Sequence, residues 1–157
     1  MKLYIKDKML SAHRNMHVLD ENNQPYLYVK GKMFSLTHKR VITDLSKNPL
    51  YYTRRKFFHI LPKAFIYDEN HELIARIHKK FGLHHKFEII GVNNTLRIEG
   101  DIIAWHFTIY ENDTEIGTIN RHFSFVDSFE LDVDTLENAA FLVAIIAAMD
   151  NIYDSRS

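Results

Sequence analysis

Basic residues recur in pairs two positions apart: Lys6 and Lys8, Lys30 and Lys32, Arg54 and Lys56, His78 and Lys80. Residues two apart on a β-strand share a face, so each pair places two cationic side chains on one side of its strand. If one strand separates successive pairs, they lie roughly 10 Å apart. The four pairs then form an outward basic stripe suited to anionic phospholipid head groups, worth about 1 kcal/mol per basic residue near a membrane surface. The opposing reading is an ordinary solvated face. There, Asp and Glu on the intervening strands cancel the charge, and lysines serve only to discourage aggregation. The same alternation turns Arg55 and Lys79 inward beside Phe57 and Phe81. Bulges, or positions at the rim of the fold, would accommodate them.

Other chemistries find less support. His13 and His17 stand four apart, a zinc spacing on a helix, but here they fall on a turn and a strand. His84 and His85 fall in a tight turn, with no carboxylate spaced to complete a site. There is no cysteine and no G-x-S-x-G segment, and the glycines at 31, 82, 91, 100 and 117 form no phosphate-cradling loop. Trp105, the single tryptophan, sits in IIAWHFTIY and reads most simply as a barrel residue. The expectation is therefore a protein that is not an enzyme and uses neither cofactor nor metal. Lys plus Arg and Asp plus Glu are each 20, giving a formal net charge of zero. Nucleic-acid binding draws most of its affinity from a cationic excess, so that class is disfavoured. The absence of cysteine suits a reducing compartment. The opening MKLYIKDKML carries charges in place of an apolar core, so no secretory signal is expected. Both point to a cytoplasmic protein.

The elements that must position these residues are announced by a repeat. Residues 32–44, KMFSLTHKRVITD, restate residues 8–20, KMLSAHRNMHVLD, at four identical positions. Lys8, Lys32, Lys56 and Lys80 recur every 24 residues, as do Met9, Met33, Phe57 and Phe81, and Asp20, Asp44 and Asp68. A fixed period implies a repeated supersecondary unit. Each unit holds a long and a short run rich in Tyr, Phe, Val, Ile and Thr. The runs are separated by clusters such as DENNQP, SKNP and DENH that favour hairpin turns. Short connections permit only antiparallel neighbours. Six units of about 24 residues predict about twelve strands, over residues 2–133, in up-and-down order. Closing them into a barrel removes two exposed edges.

Twelve strands enclose a wider lumen than eight, which their own side chains fill, so something must occupy it. Residues 134–153, DTLENAAFLVAIIAAMDNIY, supply a candidate, and every residue from Ala139 to Met149 is apolar. A helix apolar on all sides must be buried on all sides, and this run is too short for a bilayer, which needs about 20 residues. Asp134 followed by Glu137 resembles a capping box and predicts a helix over about 135–153. Burying its six large apolar side chains contributes at most roughly 9–18 kcal/mol, comparable to the net stability of a whole domain. The fold class expected is thus mainly β: a single domain over 1–157, a closed antiparallel barrel around a hydrophobic C-terminal helix.

The phrases MKLYIKDKM, YVKGKMFSL, KKFGLHHKFEI and FSFVDSFELDVD, with the apolar C-terminal helix, resemble the LURP-one-related family in its short bacterial form. That family is similar in fold to the tubby C-terminal domain and to phospholipid scramblases. The resemblance implies a twelve-stranded barrel around a central helix and, by fold analogy alone, contact with phospholipid. No tubby lipid-contact motif matches here residue by residue. The leading expectation is a binding domain for phospholipid head groups or an anionic membrane surface. The alternatives are a protein–protein interaction scaffold and a carrier of a small apolar ligand within the barrel.

Overall fold

In a computed structural model of the chain, residues 1–7, 15–31, 37–56, 63–80, 85–91, 96–101, 104–122 and 128–153 are described. Twelve strands precede one helix. The strands are β1 (Lys2–Asp7), β2 (Met16–Leu19), β3 (Pro25–Gly31), β4 (Arg40–Thr43), β5 (Pro49–Lys56) and β6 (Lys63–Asp68). They continue as β7 (Leu73–Lys80), β8 (His85–Ile90), β9 (Leu96–Asp101), β10 (His106–Glu111), β11 (Thr114–His122) and β12 (Ser128–Val133). Each pairs antiparallel with its sequence neighbours, and β1 pairs with β12 through registers such as Lys2↔Asp132 and Lys6↔Ser128, closing the barrel.

Alternation along the strands determines the inside. Leu3 and Ile5, Leu27 and Val29, Ala64 and Ile66, Ala75 and Ile77, and Phe107 and Ile109 are all buried, two apart on their strands. The helix α1 (Ala139–Tyr153) lies among them and packs chiefly against β4 to β7. Val143, Ala144 and Ala148 are fully buried. Its alanines keep the rod narrow enough for close packing inside the tube. The expected all-round burial holds from Leu142 onward, while Ala140 and Phe141 are half-buried at the entrance. No described helix is long and apolar enough to cross a membrane.

The helix begins later than the capping-box pattern predicts. The Asp134 amide donates to Ile116 O, keeping that residue attached to the end of the sheet. Leu142 N then donates to Asn138 O, so Asn138 occupies the cap and Ala139 starts the helix.

Three hairpins share one turn geometry. The Asp20 amide donates to Gln24 O, Asp44 to Asn48 O and Asp68 to Glu72 O, at 2.9 to 3.0 Å. In each, the aspartate Oδ1 accepts the amide four residues on, at 2.8 Å. A residue three after the aspartate takes positive φ: Asn23 at 61°, Lys47 at 70° and His71 at 65°. Register shifts follow the same spacing, at Val18/Leu19, Ile42/Thr43 and Ile66/Tyr67. These turns lie at one end of the barrel, where β12 ends and α1 enters. The opposite end holds the starts of β4 and β6 and the C-terminus of α1.

Candidate functional site

Burial alternation turns Lys6, Lys30, Arg54, Lys56, His78 and Lys80 away from the core. All but the half-buried His78 are exposed. All six lie toward the end of the barrel opposite the aspartate turns, because β1, β3, β5 and β7 run in the same direction. Lys8 and Lys32 lie outside the described residues. The register brings the β5 and β7 members together across β6, where Lys56 faces Lys63 and Lys63 faces His78. One step along, Arg54 faces Phe65, which faces Arg76. Lys6 faces His17 and Lys30 faces Val41, so these two stand apart from that cluster.

Two cations of the cluster lie over aromatic rings. The Arg54 guanidinium lies 4.9 Å from the Tyr67 ring centre, and Lys56 Nζ lies 5.8 Å from that of Phe65. Such contacts fix a cation without cancelling its charge. At their described outward positions, the intervening strands carry none of the acidic residues that an ordinary solvated face would use. The described outward positions of β2, β4 and β6 are His17 and Leu19, then Val41, then Lys63, Phe65 and Tyr67, none of them a carboxylate. The first outward carboxylate beyond β7 is Glu88 on β8, which pairs with Lys80 at 3.0 Å. Lys80 is therefore a member of the predicted set whose charge is locally compensated. Lys63 and Arg76 join the cluster although the sequence repeat did not single them out. Lys63 lies on the short strand of its unit, and Arg76 precedes the recurrent pair.

The same end of the barrel explains Arg55 and Lys79. Both fall on inward positions, Arg55 opposite Ala64 and Lys79 opposite Phe87, but near the mouth, and both are half-buried. The Arg55 amide donates to Thr37 O at 2.9 Å. Burial lowers the Arg55 pKa from its ordinary value. Arg121, inward on β11, lies 4.6 Å from the Trp105 ring centre and 5.4 Å from that of Phe129. Trp105 lies in the turn before β10, with a φ of 49°, and not on a strand, yet it is 7 % exposed and packs against Phe107 as part of the core.

Deeper still sits a pair that sequence reading missed. Arg40, only 2 % exposed, points inward from β4. Its Nη2 donates to Asp150 Oδ2 at 2.8 Å and its Nη1 to Ala147 O at 3.1 Å. Asn151 Nδ2 donates to His38 O at 3.0 Å. Sheet and helix are thus joined by polar contacts where the helix dipole is negative, which favours a cation there. Asp150 and Asn151 lie within the last turns of α1 and fasten it to the sheet.

In overall architecture the chain is similar to a protein of Arabidopsis thaliana solved by X-ray crystallography. The TM-score is 0.70 at 16% sequence identity, covering 97% of this chain and 91% of that one. At that identity the likeness speaks to fold alone. No curated protein matches the chain. The model of the LURP-one-related family matches residues 1–150. That match spans all twelve strands and most of the helix, and on it the chain belongs to the LURP-one-related family.

Proposed function

We propose that this is a non-catalytic cytoplasmic binding domain whose outward face on β3 to β7 engages anionic phospholipid head groups at a membrane surface. The observation that carries this reading is the basic row Lys56–Lys63–His78, beside Arg54 and Arg76, with no carboxylate at a described outward position of β2 to β6. Aromatic rings beneath Arg54 and Lys56 offer an amphipathic surface of the kind found where one side is apolar and the other wet. The likeness to tubby domains and scramblases that the family resemblance implies points the same way, as analogy alone. A carrier role deep inside the lumen is disfavoured because α1 occupies it from Leu142 onward. Partner binding by strand addition is disfavoured because every described strand is paired on both sides.

The test is co-sedimentation with vesicles of phosphatidylcholine alone and of equimolar phosphatidylcholine and phosphatidylserine. Binding is expected only to the anionic vesicles and is expected to weaken as salt rises. At roughly 1 kcal/mol per cation, the triple variant Arg54→Glu/Lys56→Glu/Lys63→Glu is expected to lower the affinity by about a hundredfold or more. Undiminished binding by that variant, or no binding by the wild type at low salt, would exclude the proposal.

A further inference from the structure

The aspartate-turn end of the barrel differs in chemistry from the basic end. Beside the first turn of α1 opens a cleft of about 440 Å³. Its walls come from the starts of alternate strands and from the helix, including Tyr51 on β5, Leu96 on β9, Ile116 on β11 and Phe141 on α1. Most of its lining side chains are apolar, Glu111 and Asn138 are polar, the exposed lining is almost evenly polar and apolar, and no described basic side chain lines it. The volume falls within the range of small-molecule sites, about 300–1,000 Å³, whose usual composition is apolar walls with a few polar groups.

Backbone packing builds one wall. Gly91 has a φ of 109°, and a Cβ there would stand 2.8 Å from Ile74 O. The chain leaving β8 therefore lies directly against β7, where a side chain would intrude. Tyr51 and Phe141 have ring centres 5.6 Å apart and form part of the apolar surface. Leu73, which also lines the cleft, is 42 % exposed at the lip.

The electrostatics select among apolar ligands. Asp68 faces Tyr51 across the β5–β6 ladder and Glu69 follows it in the turn, so two carboxylates stand near this opening; burial first, then Glu69 and Asp68, raise the Tyr51 pKa. Glu111 adds a third within the lining. The N-terminus of α1 opposes them with a partial charge of only about +0.5. The balance is negative, so a carboxylate or phosphate head is repelled here and a cationic one attracted.

We propose that this cleft is a ligand site, separate from the basic face, for a small apolar molecule bearing a protonated amine, with the hydrocarbon against Leu96, Ile116 and Phe141 and the amine toward Glu111. Octylamine, octanol and octanoate serve as probes that share a chain and differ in head group. Isothermal titration calorimetry on the full chain is expected to rank octylamine above octanol and octanol above octanoate, with octylamine favoured over octanoate by roughly tenfold or more. Amide shifts in NMR spectra are expected at Leu96, Ile116 and Phe141. Ile116→Trp fills the cleft from one wall and Ile74→Trp from another. Each, with near-ultraviolet circular dichroism confirming the native fold, is expected to abolish binding. Glu111→Gln is expected to erase the preference for octylamine over octanol while octanol still binds. Absence of saturable octylamine binding, octanoate binding as tightly as octylamine, a head-group preference that survives Glu111→Gln, or binding retained by the folded tryptophan variants would overturn the proposal.

Discussion

Asp44 shows what a single side chain contributes to a hairpin. Its Oδ1 accepts the Asn48 amide at 2.8 Å, and its Oδ2 accepts Asn48 Nδ2 at 2.9 Å. The Asn48 side chain, followed by its amide, holds the Asp44 pKa below the ordinary value of 3.8. Because the folded pKa is depressed, this stabilisation is fully present above the unfolded value. It is lost as pH falls through the folded one, so the affected window lies below about pH 4. An NMR titration of the Asp44 carboxyl carbon is expected to give a midpoint below that of the same residue in Asn48→Ala. Equal midpoints would show that Asn48 does not hold the charge. The aspartates at this period are legible in the sequence because Asp favours such turns through its own side-chain bonds. The residues in the left-handed conformation are less so. Asn23 suits it, but Lys47 and His71 occupy the same position at φ values of 70° and 65°, where nothing in their type announces it.

At the scale of the element, the helix is held by contacts at both ends as well as by its apolar surface. Arg40 and Asp150 lie 110 residues apart in sequence and form a buried pair at 2.8 Å. Removing one partner of such a pair leaves an uncompensated charge and typically costs about 3–5 kcal/mol, whereas replacing both with apolar residues of similar size is often neutral. Arg40→Met is therefore expected to lower the urea midpoint by about that free energy. Arg40→Met/Asp150→Leu is expected to recover most of it, unless the Nη1 contact to Ala147 O dominates, in which case the double variant stays as weak as the single. Neither local periodicity nor a short motif marks this pair, which is why the sequence reveals the helix and not its fastening. The start of α1 shows the reverse failure. Asp134 and Glu137 match a capping pattern, yet the Asp134 amide bonds to Ile116 O and tertiary pairing overrides the local signal. For the candidate site, alternation turns the six described members of the predicted set outward. It could not show which side chains of β6 would come between them, because that depends on cross-strand register.

Across the whole molecule, a formal net charge of zero conceals a separation along the barrel axis. Asp20, Glu21, Asp44, Asp68, Glu69 and Glu72 gather at the turn end, while Lys30, Arg54, Lys56, Lys63 and Lys80 lie toward the other. A composition total averages over that separation, so it supports a statement about the mean charge and none about either end. The barrel and α1 form one continuous apolar cluster that includes Leu3 of β1 and Ile152 of the helix. Deleting residues 138–157 is expected to leave a chain without a cooperative melting transition. A soluble truncated protein that melts cooperatively would show that the strands suffice alone. The seam where β1 meets β12 has a further consequence for biogenesis. A ribosome releases the chain from its amino end, so Lys2–Asp7 must wait for Ser128–Val133 before finding its second neighbour, and the apolar rod emerges later still. Until then the nascent strands form an open sheet with a greasy concave surface and unpaired margins, the condition in which a growing polypeptide most needs a chaperone.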